Sequence, residues 1–263
     1  MVSRLDDKVV IITGASDGLG RVMATSFSSQ GAALVLAARR TEMLEETAGM
    51  VGGAGGTAMA VTTDVTREDD VIRMVRAAVQ HYGRVDVLVN NAAQPGRDLY
   101  IWEQTVDNWN GTIAIDVTAA MLCTREVLKQ SMLERHSGSI VNVSSTAGWN
   151  GIPRKSHYCV AKAGLRTLTK VVAQEVGPHG IRVNCLVPGG IQTELLHNYW
   201  QRLAGEQGVS WQEIRDRGAK AVALERVATT EEVAAAALFL AADESSAITG
   251  QSINVDCGGV LIG

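Results

Sequence analysis

At 263 residues, 46% hydrophobic and 20% charged, the chain has the composition of a globular protein and the length to bury a large core. A net charge of −4 gives no electrostatic reason to expect nucleic acid or an anionic membrane as a partner. No stretch of about 18 uncharged apolar residues is present and the N-terminus is polar, so neither a membrane span nor a secretory signal is expected, and the protein is read as cytoplasmic.

The first apolar run, Val9-Val10-Ile11-Ile12, is continuous rather than alternating, which predicts a strand covered on both faces. It leads into Thr13-Gly14-Ala15-Ser16-Asp17-Gly18-Leu19-Gly20. Glycine permits a sharp turn and close approach of backbone to a diphosphate, and the amides at a helix start favour an anion. Such a loop is a weak signal alone. Directly after a buried strand it predicts a dinucleotide site built on Gly14, Ser16, Asp17, Gly18, Leu19 and Gly20. The second run, Leu34-Val35-Leu36-Ala37, ends in Ala38-Arg39-Arg40. The carboxylate that would hold the ribose hydroxyls of NAD is missing there, and Arg39, beside Arg40, could fork onto a 2′-phosphate. NADP(H) is therefore favoured over NAD(H), although Asp17 would repel a phosphate.

Further on, Gly52 to Gly56 reads as a flexible loop and Thr57 to Val61 as a weaker strand. Thr66-Arg67-Glu68-Asp69 reads as a capped start for a helix carrying Val71, Ile72, Val75 and Val79 at helical spacing. Val85 to Val89 and Ile140 to Val143 are strands separated by a long helix, Thr105 to Glu134. A second long helix, Tyr158 to Val176, precedes the strand Ile181 to Asn184. Thr229-Thr230-Glu231-Glu232 opens an alanine-rich helix to Ala242, and Ser252 to Val255 is the last strand. Alternating strands and helices imply right-handed βαβ units and an α/β, doubly wound parallel sheet of Rossmann type, a single domain over residues 1–263 with its ligand beyond the carboxyl ends of the strands.

Tyr158-Cys159-Val160-Ala161-Lys162 places a phenol and an ammonium one helical turn apart. A free phenol is a poor base at neutral pH, and a neighbouring ammonium lowers its pKa, so Tyr158 could act as a general acid/base. An ordinary surface pair has the same spacing. What favours chemistry is the strand Gly138 to Val143, which ends in Ser144 and Ser145 where a doubly wound fold presents its ligand groups. Ser145 could hydrogen-bond a substrate carbonyl, whereas Ser144 suits a turn cap better.

With Thr13-Gly14-x-x-x-Gly18-x-Gly20, Asp64-Val65, Asn90-Asn91-Ala92, Ser145, Tyr158-x-x-x-Lys162 and Pro188-Gly189 in this order, the chain from about Leu5 to Gly259 resembles a short-chain dehydrogenase/reductase. The resemblance implies that Tyr158 exchanges a proton with substrate, that Lys162 lowers the tyrosine pKa and holds the nicotinamide ribose, and that Ser145 positions the carbonyl or alcohol. It implies that Asp64 and Val65 bracket the adenine, that Asn91, Ala92 and Ala93 line the cofactor channel, and that Pro188, Gly189, Ile191 and Thr193 meet the nicotinamide. No metal is required. Two positions depart from the family pattern. Ala93 replaces a glycine, and Asp116 stands where the family has an asparagine that kinks the long helix and holds a water for a proton relay. An ionised aspartate only accepts hydrogen bonds and could pair with Lys162, partly cancelling its pull on Tyr158.

The segment after Thr193 breaks the strand–helix rhythm, and the resemblance makes it a variable lid over the substrate, at about 191–220. Trp149, Tyr199 and Trp200, with Tyr100 and Trp102 near by, could form aromatic walls for a bulky or ring-containing substrate, or could pack core or interface. His157 and His197 read as surface or lid residues and Cys159 as a small buried filler. The four cysteines lack metal or redox spacing and are expected as free thiols. The resemblance also implies a homotetramer through the two long helices. The reading is hydride transfer between NADP(H) and a ketone or secondary alcohol. A 3-oxoacyl thioester reductase and a catalytically impaired cofactor-binding regulatory protein are the alternatives.

Overall fold

The computed structural model describes residues 3–261. Seven parallel strands form one sheet in the order β3-β2-β1-β4-β5-β6-β7. They are β1 (Val9–Thr13), β2 (Ala33–Ala38), β3 (Thr57–Thr62), β4 (Val87–Asn90), β5 (Gly138–Val143), β6 (Ile181–Pro188) and β7 (Ser252–Val255). The chain runs outward from β1 to the β3 edge, then returns to place β4 on the other side of β1. That reversal opens a crevice at the carboxyl ends of β1 and β4, where an open α/β sheet binds its ligand.

The continuous apolar runs are buried end to end, as in all five residues of β1 and all four of β4. The edge strand β3 alternates between partial burial and exposure, which is why its sequence pattern is weaker. Alternate residues of β1 serve opposite faces. Val10 and Ile12 pack with Met23 and Phe27 of α1 (Gly18–Ser28) and with Leu240 of α10 (Thr230–Ala241). Ile11 packs with Met74 of α3 (Glu68–Tyr82) and Val172 of α7 (Ser156–Val176). Full burial of such side chains is worth about 1.5–3 kcal/mol each, so this two-sided core clamps the strand ends that carry the site.

Helix α2 (Thr41–Gly53) takes in two of the glycines expected as loop. The capped start expected at Thr66 is not formed. Helix α3 begins at Glu68 after an uncapping Arg67, because the Thr66 hydroxyl donates to Asp64 instead, at 2.7 Å. The long helix starts one residue later than expected, at α4 (Val106–Ile113), with Thr105 as its cap. It continues through a π turn at Ala114–Thr118, α5 (Ala119–Val127), a second π turn at Leu128–Met132 and α6 (Leu133–Arg135). The segment after β6 is a helix pair, α8 (Glu194–Gln207) and α9 (Trp211–Lys220). The helix expected to open at Thr229–Glu232 is α10, and Thr229 and Glu232 close a capping box at its start. Among the described residues no helix is long and apolar enough to cross a membrane.

Candidate active site

The β1–α1 loop is shaped by contacts that leave no room for side chains. Gly14 has φ +66°, and a Cβ there would lie 2.9 Å from the Ala92 Cα, while one on Gly20 would lie 2.2 Å from the Gly14 carbonyl oxygen. Asn91 bolts the loop to the end of β4: its Nδ2 donates to the carbonyls of Thr13 (2.9 Å) and Gly14 (3.2 Å). Thr13 Oγ1 accepts from the amides of Asn91 and Ala92, both at 3.0 Å. Gly18 has φ +49° and open space where its Cβ would be.

At the N-cap of α1, Asp17 gives the helix no side-chain hydrogen bond. Its carboxylate faces Arg40 Nη2 at 2.5 Å, and the same guanidinium donates to Ser16 Oγ at 3.0 Å. The first amides of α1 are thus left without a side-chain acceptor beside open space, a cradle that fits an anionic diphosphate. Leu19 packs on the core beneath. Arg39 is exposed at the end of β2. Asp64 is half-buried, with its carboxylate turned back to Thr66, and Val65 is buried. Ala93 is exposed at the end of β4, so its extra methyl meets no tight packing.

The second group of residues surrounds α7. Tyr158 is half-buried on its first turn, and Lys162 Nζ lies 5.5 Å from its ring centroid. Lys162 is 2% exposed; Nζ donates to the Val143 carbonyl at 3.1 Å and lies 3.2 Å from Asp116 Oδ2. Asp116 sits in the first π turn, the kind of bulge that recurs at functional sites. Its Oδ1 accepts from the Gln94 amide at 2.9 Å, while Oδ2 has close charge contact with Lys162 but no directed hydrogen bond. Burial opposes the Lys162 charge, but the attraction of Asp116 and of a Tyr158 phenolate outweighs it and holds the ammonium above its ordinary pKa.

The turn cap expected at Ser144 is formed by Ser145 instead. Ser145 caps the short turn Thr146–Gly148, its Oγ accepting from the Ala147 amide at 3.2 Å, which leaves its own proton free to donate. Ser144 is buried, and its hydroxyl donates to the Lys162 carbonyl at 2.8 Å, docking the strand end onto α7. His157 is a correction too. It is fully buried rather than on the surface, with Nε2 2.9 Å from the Pro95 carbonyl and Nδ1 2.8 Å from Gln104 Nε2. A carbonyl only accepts, so Nε2 carries the proton and Nδ1 accepts. The ring thus ties the loop after β4 to the approach to α4. Cys159 is half-buried, and its sulfur accepts from the Ile152 amide at 3.4 Å.

Beyond β6 the backbone of Gly189 bonds to Val255, Ile191 pairs with Ala228, and Thr193 caps α8. Pro188 ends β6 in register with Val255. Tyr199, half-buried on α8, lies under Lys155, whose Nζ is 4.5 Å from its ring centroid; burial raises its pKa. Trp200 faces Trp211 of α9 at 6.5 Å, and His197 meets the same indole edge-on at 4.7 Å. Ion pairs hold α8 to the loops beside Tyr158, Arg202 to Asp98 and Arg154 to Glu206 at 3.0 Å, and Lys155 joins Asp98 at 3.7 Å. Trp149 is committed elsewhere, donating to Asn254 Oδ1 at 3.0 Å and stacked under Arg166. Tyr100 and Trp102 stack on each other in parallel at 4.7 Å, with Trp102 77% exposed.

A profile described as enoyl-(acyl carrier protein) reductase matches residues 14–259. The chain is 36% identical over 259 residues to a short chain dehydrogenase/reductase, astE, of Aspergillus oryzae, covering 98% of this chain and 97% of that protein. It is also 36% identical over 255 residues to a meso-2,3-butanediol dehydrogenase of Serratia marcescens, covering 97% and 95%. Among solved structures, an actinorhodin polyketide ketoreductase with NADPH superposes with a TM-score of 0.91 at 33% identity, covering 98% of each chain. An NAD+-bound xylitol dehydrogenase gives the same TM-score at 28% identity, covering 96% of this chain and 98% of that one.

Proposed function

The chain belongs to the short-chain dehydrogenase/reductase family and is an NAD(P)-dependent oxidoreductase acting on alcohols and ketones, and from that premise we propose that it transfers hydride between NADP(H) and a bulky or ring-containing ketone or secondary alcohol. What supports the reading is the buried ammonium of Lys162, 5.5 Å from the Tyr158 ring and donating to the Val143 carbonyl at the end of β5, two residues before Ser145 and its free hydroxyl proton.

A bound nicotinamide supplies the hydride or accepts it. The residues do the rest. Ser145 donates to the substrate oxygen and holds it where charge develops. Tyr158 gives that oxygen a proton in reduction and takes it back in oxidation. Lys162, kept charged by Asp116, favours the phenolate. Gly14, Ser16, Gly18 and Gly20 shape the diphosphate cradle, with Leu19 seating it on the core. Asp64, Val65, Asn91, Ala92 and Ala93 line the adenine and ribose side, and Pro188, Gly189, Ile191 and Thr193 the nicotinamide side. Helices α8 and α9, roughly 191–220, close over the substrate, with Tyr199 and Trp200 as its aromatic faces.

The preference for the phosphorylated cofactor rests on Arg39, exposed and without a salt bridge among the described residues, and on Ala38 in place of an acid. Arg40 neutralises Asp17, which removes the repulsion that carboxylate would otherwise exert on a 2′-phosphate. The thioester alternative calls for a basic mouth to seat a carrier or coenzyme A. Here Asp98 and Glu206 pair with Arg154, Lys155 and Arg202 and leave a single net positive charge among the five groups, so a free ketone is favoured.

Initial rates with a panel of small, cyclic and aromatic ketones and a 3-oxoacyl thioester, each with NADPH and NADH, test the reading. Turnover of cyclic or aromatic ketones, with kcat/KM at least about tenfold higher for NADPH, is expected. Fastest turnover of the thioester would move the reading to the acyl reductases. NADPH binding without any turnover would leave a regulatory protein.

A further inference from the structure

One buried charge has no part in the proposed chemistry. Arg166 stands on α7 one turn beyond Lys162 and is 9% exposed. Among the described residues no carboxylate lies within ion-pair distance of it, and its Nε has no hydrogen-bond partner. Nη1 donates to the Gly148 carbonyl at 2.6 Å, and the guanidinium covers the Trp149 ring, which Asn254 holds from the side. Burying an unpaired charge is costly, and burial lowers the proton affinity of this one, although a guanidinium stays ionised. A neutral donor would serve Gly148 and Trp149 without that cost, so the charge calls for its own account.

Charge counting supplies one. The ammonium beneath Tyr158 is paired with Asp116 at 3.2 Å, so Lys162 and Asp116 together carry no net charge. Tyr158, Lys162 and Arg166 lie at i, i+4 and i+8, on successive turns of one helix drifting about 40° per step. We propose that Arg166 is a positioning residue for the reaction, whose unpaired buried charge keeps the floor under Tyr158 cationic where Asp116 cancels Lys162. The proposal rests on the reading of Tyr158 as the acid/base. The other ionisable groups on elements packed against α7 do not supply this charge, Arg182 on β6 being turned to the Leu240 carbonyl and the Ser245 hydroxyl. Cys185 on β6 is a thiol pushed up to about 11 by burial, Asp107 on α4 is exposed, and His179 lies beyond the far end of the helix. His157, next to Tyr158, is turned to Pro95 and Gln104, and Arg154 and Lys155 are paired with Glu206 and Asp98.

Eight residues of helix span roughly 12 Å, and at an effective dielectric near 20 a unit charge at that distance is worth up to about one pH unit. The test is kcat/KM against pH for wild type, Arg166→Gln, Arg166→Lys, Asp116→Asn and the Asp116→Asn/Arg166→Gln double variant. In parallel, tyrosinate absorbance is titrated with Tyr158→Phe as the blank. Arg166→Gln, neutral but still able to donate to Gly148, is expected to move the profile and the absorbance step up by about half a unit to one unit. Asp116→Asn is expected to move both down, the double variant to lie near wild type, and Arg166→Lys to stay near wild type. If Arg166→Gln lowers kcat with the profile unmoved, or Arg166→Lys moves as far as Arg166→Gln, the residue only braces the Gly148 turn and the proposal is lost. Should Arg166→Gln fail to fold, an Asp116→Asn profile that stays in place also overturns it. A wild-type chain without turnover would remove the reading of Tyr158 as the acid/base, while the absorbance titration would still judge the electrostatic proposal.

Discussion

The floor around Tyr158 and the helix pair α8–α9 are held by different physics. Beneath the phenol, Lys162, Asp116, Ser144 and His157 are buried and bonded to backbone or to one another within a few ångströms. Over the cleft, Arg154, Arg202 and Glu206 pair across partly exposed surface, and the aromatic rings of α8 and α9 stack largely among themselves. A buried network specifies one geometry because each unmet bond is costly, whereas exposed pairs exchange with water at little cost. The contrast suits the proposed reaction centre and the proposed lid above it.

The largest effect belongs to the floor. Tyr158→Phe removes the proton donor and keeps the ring, so kcat is expected to fall by about 10³-fold or more, on the scale of general acid–base catalysis. NADPH affinity, read by quenching of tryptophan fluorescence, should change little. A variant that kept a tenth of the wild-type kcat would take the chemistry away from this phenol and make the floor no more decisive than the lid.

Much of the floor was legible because its chemistry is written locally. Glycines at 14 and 20 stand where any Cβ would strike the Ala92 backbone or the Gly14 carbonyl, and Tyr158 and Lys162 are one helical turn apart. What stayed hidden depends on distant partners. His157 looks like a surface residue until the fold brings Pro95 and Gln104 to it, across 62 and 53 positions. Nothing local marks Arg166 either, since Gly148 and Trp149 lie on another element. A π turn stands at Asp116, and that the turn cap falls on Ser145 rather than Ser144 turns on a single residue of register. In the lid the helix pair itself was not foreseen. Its aromatic residues were seen, but the side chains they would face were not, because ion pairs between Arg202 and Asp98 span about a hundred residues of sequence.

Acid tests the buried scaffold behind the floor, at the opposite end of the sheet. Asp86, just before β4, is 7% exposed and accepts from the Val9 amide at 2.8 Å, from Arg84 at 2.9 Å and from Arg135 at 2.7 Å. Burial alone would raise its pKa, but the Val9 amide and the two arginines outweigh it and hold the carboxyl below its ordinary value. Because the folded pKa is depressed, this contribution is present above the ordinary carboxylate range and is lost as pH falls through it toward the folded value. Asp86→Asn is expected to cost about 2–3 kcal/mol at pH 7, on the scale of a charged hydrogen bond lost in a buried site. In urea unfolding that gap should narrow as pH falls from about 5 to about 3. A gap independent of pH would mean that packing rather than charge anchors the sheet at this end.

The smallest effect belongs to the lid, and salt reveals it. Arg202 meets both Asp98 and Glu206, and all three groups are partly exposed or near the surface. Exposed pairs are individually weak and are screened strongly at about 1 M salt. Arg202→Gln should therefore raise the ketone KM about two- to fivefold at low salt, with kcat within about twofold of wild type, because the pairs order α8 over the cleft without touching the proton path. At about 1 M sodium chloride, wild type should approach the variant's KM. A KM penalty that survives high salt would mean that Arg202 meets the substrate itself. A fall in kcat with KM unmoved would make the ion pairs part of the floor, and the division between a rigid centre and a loosely held cover would have to be redrawn around Asp98.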